Sequence, residues 1–345
     1  MKSFLISAVV LTLVSCCQIA AAQDYQSVKD SEASDQTGFQ RFFVTDRFDR
    51  KITCYLSELD SADSAEKLPL VICIQGSGSQ SIFLEVDTAD GKVIASGGTE
   101  AVLRRKFRDK LRVLVVEKPG VEFLVQPSRP GAAEEASEEY NREFSLERWV
   151  EALNAATCAI TKLPGIDGER VLALGHSEGG QVACELAAVN DLVTHVAHMA
   201  GGGPTQLYDF IEMAREGEIF DPQASPDDRV KSLMAQWQIV LDNPDATDQF
   251  FMGHAHLRWT TFLRSSPISA ILKTDAKVFI AQGMKDTNSL PASADVLYAE
   301  LMARGRDVTY KRIIDGDHAF MTDGDNGEGW LQTISSAAAW FLEDE

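Results

Sequence analysis

The 345-residue sequence predicts an α/β fold with a mostly parallel central sheet. Short, nearly continuous apolar runs, which suit strands buried on both faces, alternate along the chain with segments of helical apolar period. The composition, 45% hydrophobic and 24% charged, is that of a folded globular protein. This alternation predicts helices on both faces of the sheet.

The elements follow in a simple order. An alternating stretch over 42–59 predicts an antiparallel hairpin near the start of the domain. Buried strands are predicted over 68–74, 111–116, 171–174 and 278–281, and further strands over 193–199 and 308–314. Helices are predicted over 100–110, 145–162, 179–189, 292–303 and 331–342. Residues 205–273 have helical stretches and separate two strands of one alternation, which predicts a helical cap insertion within a domain spanning 39–345.

The first residues indicate export. Met1 and Lys2 give a positive start, an apolar run follows that is too short to span a bilayer, and three alanines precede Gln23. We therefore expect a signal peptide over 1–22 and a secreted or periplasmic protein without an integral membrane span. Leu13 to Cys16 also fits a lipobox, so a lipoprotein anchored through Cys16 is the alternative. The polar composition of 23–38 predicts a mobile leader.

Charge and cysteine spacing exclude several classes of protein. The chain has 32 basic and 52 acidic residues, a formal net charge of −20 at pH 7, so we expect no nucleic-acid partner. The spacing of Cys54, Cys73, Cys158 and Cys184 fits no zinc pattern, and we expect no metal or other cofactor. A disulfide between Cys158 and Cys184 stays open.

The strongest local signal is a G-x-S-x-G pentapeptide, Gly175 to Gly179, between a predicted strand and a predicted helix. Small residues on either side of Ser177 let the chain turn sharply enough to present the serine on an elbow. A serine hydroxyl needs a base, and among the six histidines His318 stands after the last predicted strand. Asp286 follows the preceding strand and suits the acid that orients the imidazole.

Two backbone amides are predicted to stabilise an oxyanion. One belongs to Glu178, directly after the nucleophile. The other belongs to Ser77, or failing that Gly78, in the small-residue loop after the strand over 68–74. We expect the aromatic residues of the cap to contribute more to its own core than to an acyl pocket: Tyr208, Phe210, Phe220, Trp237, Phe250, Phe251, Trp259 and Phe262.

The order Ser177, Asp286, His318 and the motifs around it resemble the α/β-hydrolase superfamily. More narrowly, Gly175 to Gly180 together with Gln75 to Gly78 resembles the bacterial branch of dienelactone hydrolases, serine aminopeptidases and acyl-thioesterases. The chain departs from that pattern, because dienelactone hydrolases have cysteine where Ser177 stands and many relatives have His-Gly where Gln75 and Gly76 stand.

This resemblance implies an α/β-hydrolase fold and an acyl-enzyme intermediate. We therefore expect an exported serine hydrolase, a carboxylesterase, acting on a small-molecule ester through Ser177, Asp286 and His318. A peptidase of the prolyl-oligopeptidase or aminopeptidase type is the alternative. A non-catalytic binding module on a hydrolase fold is the third, and the complete set of triad residue types argues against it.

Overall fold

The computed structural model describes residues 24–30, 37–58, 67–89, 91–129 and 131–344. The predicted signal peptide over 1–22 and the lipobox cysteine, Cys16, lie outside these residues. No helix of the described part is long and apolar enough to cross a bilayer.

The described residues form a sheet-based architecture whose strands and helices alternate over most of the chain. The strands are β1 Ser27–Lys29, β2 Phe39–Thr45, β3 Lys51–Ser57, β4 Leu68–Ile74, β5 Phe83–Thr88, β6 Gly91–Ser96, β7 Arg112–Val116, β8 Ile166–His176, β9 His195–Met199, β10 Phe250–Phe251, β11 His254–Ala255, β12 Lys277–Gly283 and β13 Val308–Ile313. The helices are α1 Thr99–Phe107, α2 Glu138–Glu143, α3 Leu146–Ile160, α4 Glu178–Val189, α5 Gln206–Glu216, α6 Pro226–Asp242, α7 His256–Phe262, α8 Pro267–Ile271, α9 Pro291–Ala303 and α10 Glu328–Glu343.

Nine strands form the main sheet, in the order β1-β2-β3-β7-β4-β8-β9-β12-β13. β1, β2 and β3 pair antiparallel, and from β7 onward every neighbouring pair is parallel. The parallel strands therefore present their carboxyl ends at one edge, where the loops after β4, β7, β8 and β12 meet. The predicted mostly parallel sheet and its opening hairpin are confirmed.

The core lies on both faces of this sheet. All seven residues of β4 and all five of β7 are buried, which explains the apolar sequence of β4 and of residues 113–116 in β7. One core cluster includes α3, α4 and α9, and the other includes α1 and α10. Helices thus cover both faces, as the alternation predicts.

The segment between β9 and β12 holds α5 to α8 and the short β10–β11 ribbon. It has a small apolar core of its own, which includes Phe210, Leu233, Phe251 and Trp259. The aromatic side chains of this cap therefore contribute to packing within the cap.

Residues 24–30, within the predicted mobile leader over 23–38, contact the domain. β1 pairs antiparallel with β2, and Tyr25 is buried and donates a hydrogen bond from its hydroxyl to Glu151 of α3. Polar composition does not reveal this segment because the edge of β2 supplies backbone partners that no local pattern encodes. Residues 31–36 lie outside the described part of the chain.

The four cysteines of the described residues are all free thiols, so the bridge left open between Cys158 and Cys184 is not formed. Cys158 instead accepts a hydrogen bond from the side-chain amide of Asn190, at 3.4 Å. The β5–β6 hairpin was not predicted from the sequence; it pairs outside the main sheet and exposes much of its surface.

Candidate active site

Ser177 stands at a sharp junction between β8 and α4. Its φ of 58° and ψ of −127° place a non-glycine residue in a strained region of backbone space, and its N–H donates to the Met199 carbonyl at 2.8 Å. Glycine is required on both sides of the turn. A Cβ on Gly175 would lie 1.9 Å from the Gly179 carbonyl oxygen, and a Cβ on Gly179 would lie 2.3 Å from that of Ile74. The pentapeptide therefore forms an elbow that exposes one serine.

Asp286, in the loop after β12, is held by four hydrogen bonds. Its Oδ1 accepts from the backbone amides of Asn288 at 2.8 Å and Ser289 at 2.9 Å. Its Oδ2 accepts from Gln282 Nε2 at 3.0 Å and lies 2.8 Å from Nδ1 of His318. The side chain of Asp286 is 0% exposed. Its position is thus fixed, and it orients the His318 ring with Nδ1 protonated and Nε2 free to exchange a proton.

His176, the residue before the serine, contacts both the backbone and the ring of His318. Its Nε2 lies 2.7 Å from the backbone oxygen of His318, and the centroids of the two rings are 4.7 Å apart. Burial and the neighbouring His318 lower the pKa of His176 to about 4. A neutral His176 therefore donates a hydrogen bond to the loop that carries His318.

A cavity of about 460 Å³ lies at the carboxyl edge of the sheet and brings four of the five predicted site residues together. Ser177, His318, Ser77 and Glu178 line it, while Asp286 lies behind the His318 ring. The rest of its lining is Gly76, Gly131, His176, Gln181, Gly201, Pro204, Gln206, Asp209, Asn288 and Ser289. None of these described residues has a large aliphatic, phenyl or indole side chain, so the cavity is polar and the cap aromatics do not form its wall.

The loop after β4 lies against the nucleophile. A Cβ on Gly76 would be 3.6 Å from Cβ of Ser177, so the backbone around Ser77 lies beside the reaction centre. Glu178 is the first residue of α4, and the first amides of a helix have no acceptor within it. The loop that contains Ser77 and the amino-terminal end of α4 at Glu178 therefore both lie next to Ser177.

Three charged residues of the site were not predicted from the sequence. Lys118, just after β7, directs Nζ to the carbonyl oxygens of Gly76 at 2.6 Å and Gly78 at 3.1 Å. The same Nζ lies 3.0 Å from Oε1 of Glu178, whose Oε2 accepts from Arg258 Nη2 of α7 at 2.6 Å. Burial raises the pKa of Glu178, but the two cations outweigh it and lower the pKa to about 2.

Asp209, on α5 of the cap, is the third of these residues. It lines the cavity and is 2% exposed. Its carboxylate accepts from the Leu290 amide and from Oγ of Ser293, both at 3.3 Å. Burial raises the pKa of Asp209 to about 7, and the negative charge of the nearby Asp286 acts in the same direction.

Two further observations concern a second cavity and metal binding. A larger cavity of about 680 Å³, lined in part by Glu151, Cys158 and Arg264, contains none of the predicted site residues. The described part of the chain holds no group of three or more His, Cys, Asp or Glu side chains placed to bind a metal ion.

With this geometry, the comparisons give the class of the protein. The model of the alpha/beta hydrolase family matches residues 93–328, more than half of the sequence, and the chain belongs to that family. Comparison with curated proteins gives no match.

Solved structures of similar fold include both peptidases and esterases. Porphyromonas gingivalis dipeptidyl peptidase 4 is 15% identical with a TM-score of 0.57, covering 89% of this chain and 35% of its own. The present chain therefore spans about a third of that protein. Acetyl xylan esterase 1 from Thermoanaerobacterium sp. JW/SL YS485 is 12% identical with a TM-score of 0.55, covering 91% and 87%. Est1E from Butyrivibrio proteoclasticus is 15% identical with a TM-score of 0.53, covering 88% and 99%. At these identities the likeness concerns the fold.

Proposed function

We propose that this protein is a serine hydrolase that cleaves a carboxylic ester through an acyl-serine intermediate. The observation that carries the proposal is the 2.8 Å contact between His318 Nδ1 and Asp286 Oδ2 at the cavity where Ser177 stands in strained backbone. A nucleophile, an imidazole and an orienting carboxylate are the groups that acyl transfer requires.

The first half of the reaction acylates the serine. Ser177 Oγ attacks the ester carbonyl while Nε2 of His318 takes the hydroxyl proton, and Asp286 stabilises the imidazolium that forms. The negative charge on the carbonyl oxygen is received by the Ser77 and Glu178 amides. His318 then returns the proton to the departing alcohol as the bond between the acyl carbon and the alkoxy oxygen breaks.

The second half repeats these steps with water. His318 removes a proton from water, the hydroxide oxygen bonds to the acyl carbon, and the same amides receive the oxyanion. Collapse breaks the bond to Ser177 Oγ, which regains its proton from His318. The carboxylic acid leaves and the enzyme is restored.

The polar cavity favours a short acyl group and a hydrophilic substrate. A long acyl chain gains affinity from apolar area, about 0.8 kcal/mol for each buried methylene, and the described lining offers glycines and polar side chains instead. We therefore propose short-chain esters as the preferred substrates.

A peptidase is the second candidate, and Asp209 is the observation that favours it. A buried carboxylate in the cavity gives a partner to a substrate ammonium group. Turnover of aminoacyl p-nitroanilides faster than of the matching acetyl ester would support this candidate and count against the esterase proposal.

The finer classification and the location are also proposals. The hexapeptide from Gly175 to Gly180 supports placement near the dienelactone hydrolase and serine aminopeptidase branch. The charged start, apolar run and alanine triplet before Gln23 support export. Fractionation of cells expressing the full chain, with Cys16→Ser beside it, would separate a secreted protein from a lipid-anchored one.

Labelling with a fluorophosphonate probe, followed by turnover of p-nitrophenyl acetate and octanoate, tests the function. We expect covalent labelling of the wild type, its loss in Ser177→Ala, and faster turnover of the acetyl ester. Ser265→Ala, on a serine outside the cavity lining, is the matched control and should label like the wild type. A folded wild-type protein that neither labels nor turns over either ester would refute the serine mechanism.

A further inference from the structure

We propose that Lys118 is a positioning residue that fixes the oxyanion loop and ties it to the nucleophile elbow. The inference rests on the proposed function, because it concerns the amides that would receive the oxyanion. It adds a side chain that does not touch substrate and acts through the backbone on either side of Ser77.

The hydrogen bonds of Lys118 carry this inference. Its Nζ donates to the carbonyl oxygens of Gly76 at 2.6 Å and Gly78 at 3.1 Å, which belong to the residues immediately before and after Ser77. The Gly76 carbonyl belongs to the same peptide group as the Ser77 N–H, so the direction of the Ser77 amide is restricted. An ammonium has three donors, and the third is directed to Glu178 Oε1 at 3.0 Å.

Glu178 connects this loop to the other amide. The residue whose backbone N–H begins α4 also offers the carboxylate that accepts from Lys118, so one ion pair joins the two sides of the oxyanion site. Arg258 of α7 completes the cluster, with Nη2 at 2.6 Å and Nε at 3.2 Å from Oε2 of Glu178. The cap thereby contacts the elbow through a second buried ion pair.

Burial makes the arrangement rigid. The side chains of Lys118 and Glu178 are 1% and 2% exposed, so neither exchanges its partners for water. Nζ of Lys118 also lies 4.6 Å from the Phe144 ring centroid, and the Tyr140 hydroxyl donates to the Gly78 carbonyl at 3.0 Å. The loop is thus held by two buried donors. Lys118 is the donor that also reaches the elbow.

The test substitutes Lys118→Met, which keeps the length of the side chain and removes its donors. Loss of one oxyanion donor costs about 10² to 10³ in rate, so misdirection of the Ser77 amide should lower kcat for a p-nitrophenyl ester within that range, with KM changing less than threefold. Affinity for a phenylboronic acid, whose serine adduct is tetrahedral and places an oxygen in the oxyanion site, should fall by a similar factor. The boronate readout needs no ester turnover, so it judges Lys118 even if the ester proposal fails.

Arg112→Met is the matched control. Arg112 is also a buried cation, 8% exposed, and donates to the Ser57 carbonyl at the far end of β7. We expect its kcat and boronate affinity to stay within threefold of wild type in the folded fraction. Equal losses in Arg112→Met and Lys118→Met would attribute the effect to general destabilisation and overturn the inference.

The double variant Lys118→Met with Glu178→Gln separates position from charge. In the single variant Glu178 keeps its ion pair with Arg258, and in the double variant Arg258 is the charge that remains. The wild-type cluster has two cations and one carboxylate. The double variant keeps one cation, Arg258, so its net charge is the same as that of the wild type. We expect kcat and boronate affinity to remain low because the Gly76 and Gly78 carbonyls have lost the ammonium that held them together. Recovery to wild-type values would show that charge alone matters and would refute the positioning role.

Discussion

Two buried carboxylates line the same cavity and have opposite electrostatic surroundings. Glu178, on the elbow side, lies between Lys118 and Arg258, and its pKa is lowered to about 2. Asp209, on the cap side, has two hydrogen bonds of 3.3 Å, and burial raises its pKa to about 7. Both residues are less than a tenth exposed. The difference in pKa therefore follows from their partners and not from their depth.

The carboxylates on the two sides of the cavity have different kinds of partner. On the elbow side, Glu178 forms buried ion pairs with Lys118 and Arg258, and Lys118 also donates to the backbone of the loop after β4. On the cap side, Asp209 joins α5 to the Leu290–Ser293 region that follows the loop of Asp286. The third carboxylate of the site, Asp286, is surrounded by two backbone amides, Gln282 and His318. Substitution of each carboxylate by its amide separates these three situations.

The largest effect is expected for Asp286→Asn. The Asn side chain can accept from His318 Nδ1 in only one of its two orientations. In the other orientation its NH2 group faces Nδ1, and the favoured imidazole tautomer is wrong for general-base catalysis. We expect kcat for p-nitrophenyl acetate to fall by about 10³ to 10⁴ with the fold unchanged. Asp295→Asn, which removes a partly exposed carboxylate bonded to Tyr310, is the control and should retain wild-type kcat. A loss below tenfold in Asp286→Asn would remove Asp286 from the proposed triad.

Glu178→Gln should have the largest effect on stability. It leaves Lys118 and Arg258 buried without a counter-charge, and breaking a buried pair costs about 3 to 5 kcal/mol. Urea unfolding at pH 7 measures this loss. Glu147→Gln, which breaks an exposed pair with Arg47, should cost less than about 1 kcal/mol. Equal losses in the two variants would contradict the difference between the buried and the exposed pair.

The pH dependence sharpens the same prediction. Since the folded pKa of Glu178 is below its ordinary value of 4.5, its stabilising contribution is complete above that value and is lost as pH falls toward about 2. The stability difference between the wild type and Glu178→Gln should therefore shrink on acidification. A difference that stays constant from pH 7 to pH 3 would contradict the ionised state of Glu178.

The contrast also marks what the sequence can predict. The elbow glycines, Ser177 and the strand-end positions of Asp286 and His318 depend on local pattern and chain order, and the structure brings them to one edge of the sheet. Lys118 and Arg258 contact Glu178 from residues 60 and 80 positions away, so no local pattern encodes the cluster. The available signal was a charged pair, Glu117 and Lys118, directly after the apolar run over 113–116 of β7.

Asp209 and β1 were missed for the same physical reason. Asp209 lies on α5, an amphipathic helix of the cap, where an acidic residue is typical of the exposed face. It is buried because α5 packs against the Ser293 region. β1 is polar and gains its order from the edge of β2 and from the Tyr25 contact with α3. In both cases the deciding partner is distant in sequence.

The smallest and most specific effect is expected for Asp209→Asn. Because burial raises the folded pKa above the ordinary value of 3.8, the wild-type fold loses stability as pH rises from about 4 to about 7, and the loss is complete above that. The amide has no such penalty and keeps an acceptor for Leu290 and a donor for Ser293. We expect Asp209→Asn to exceed the wild type in free energy of unfolding at pH 8, by up to about 4 kcal/mol, and to match it more closely at pH 5. Urea unfolding at both pH values measures this. An equal difference at the two pH values would mean that Asp209 stays ionised in the fold, and the contrast with Glu178 would then fail.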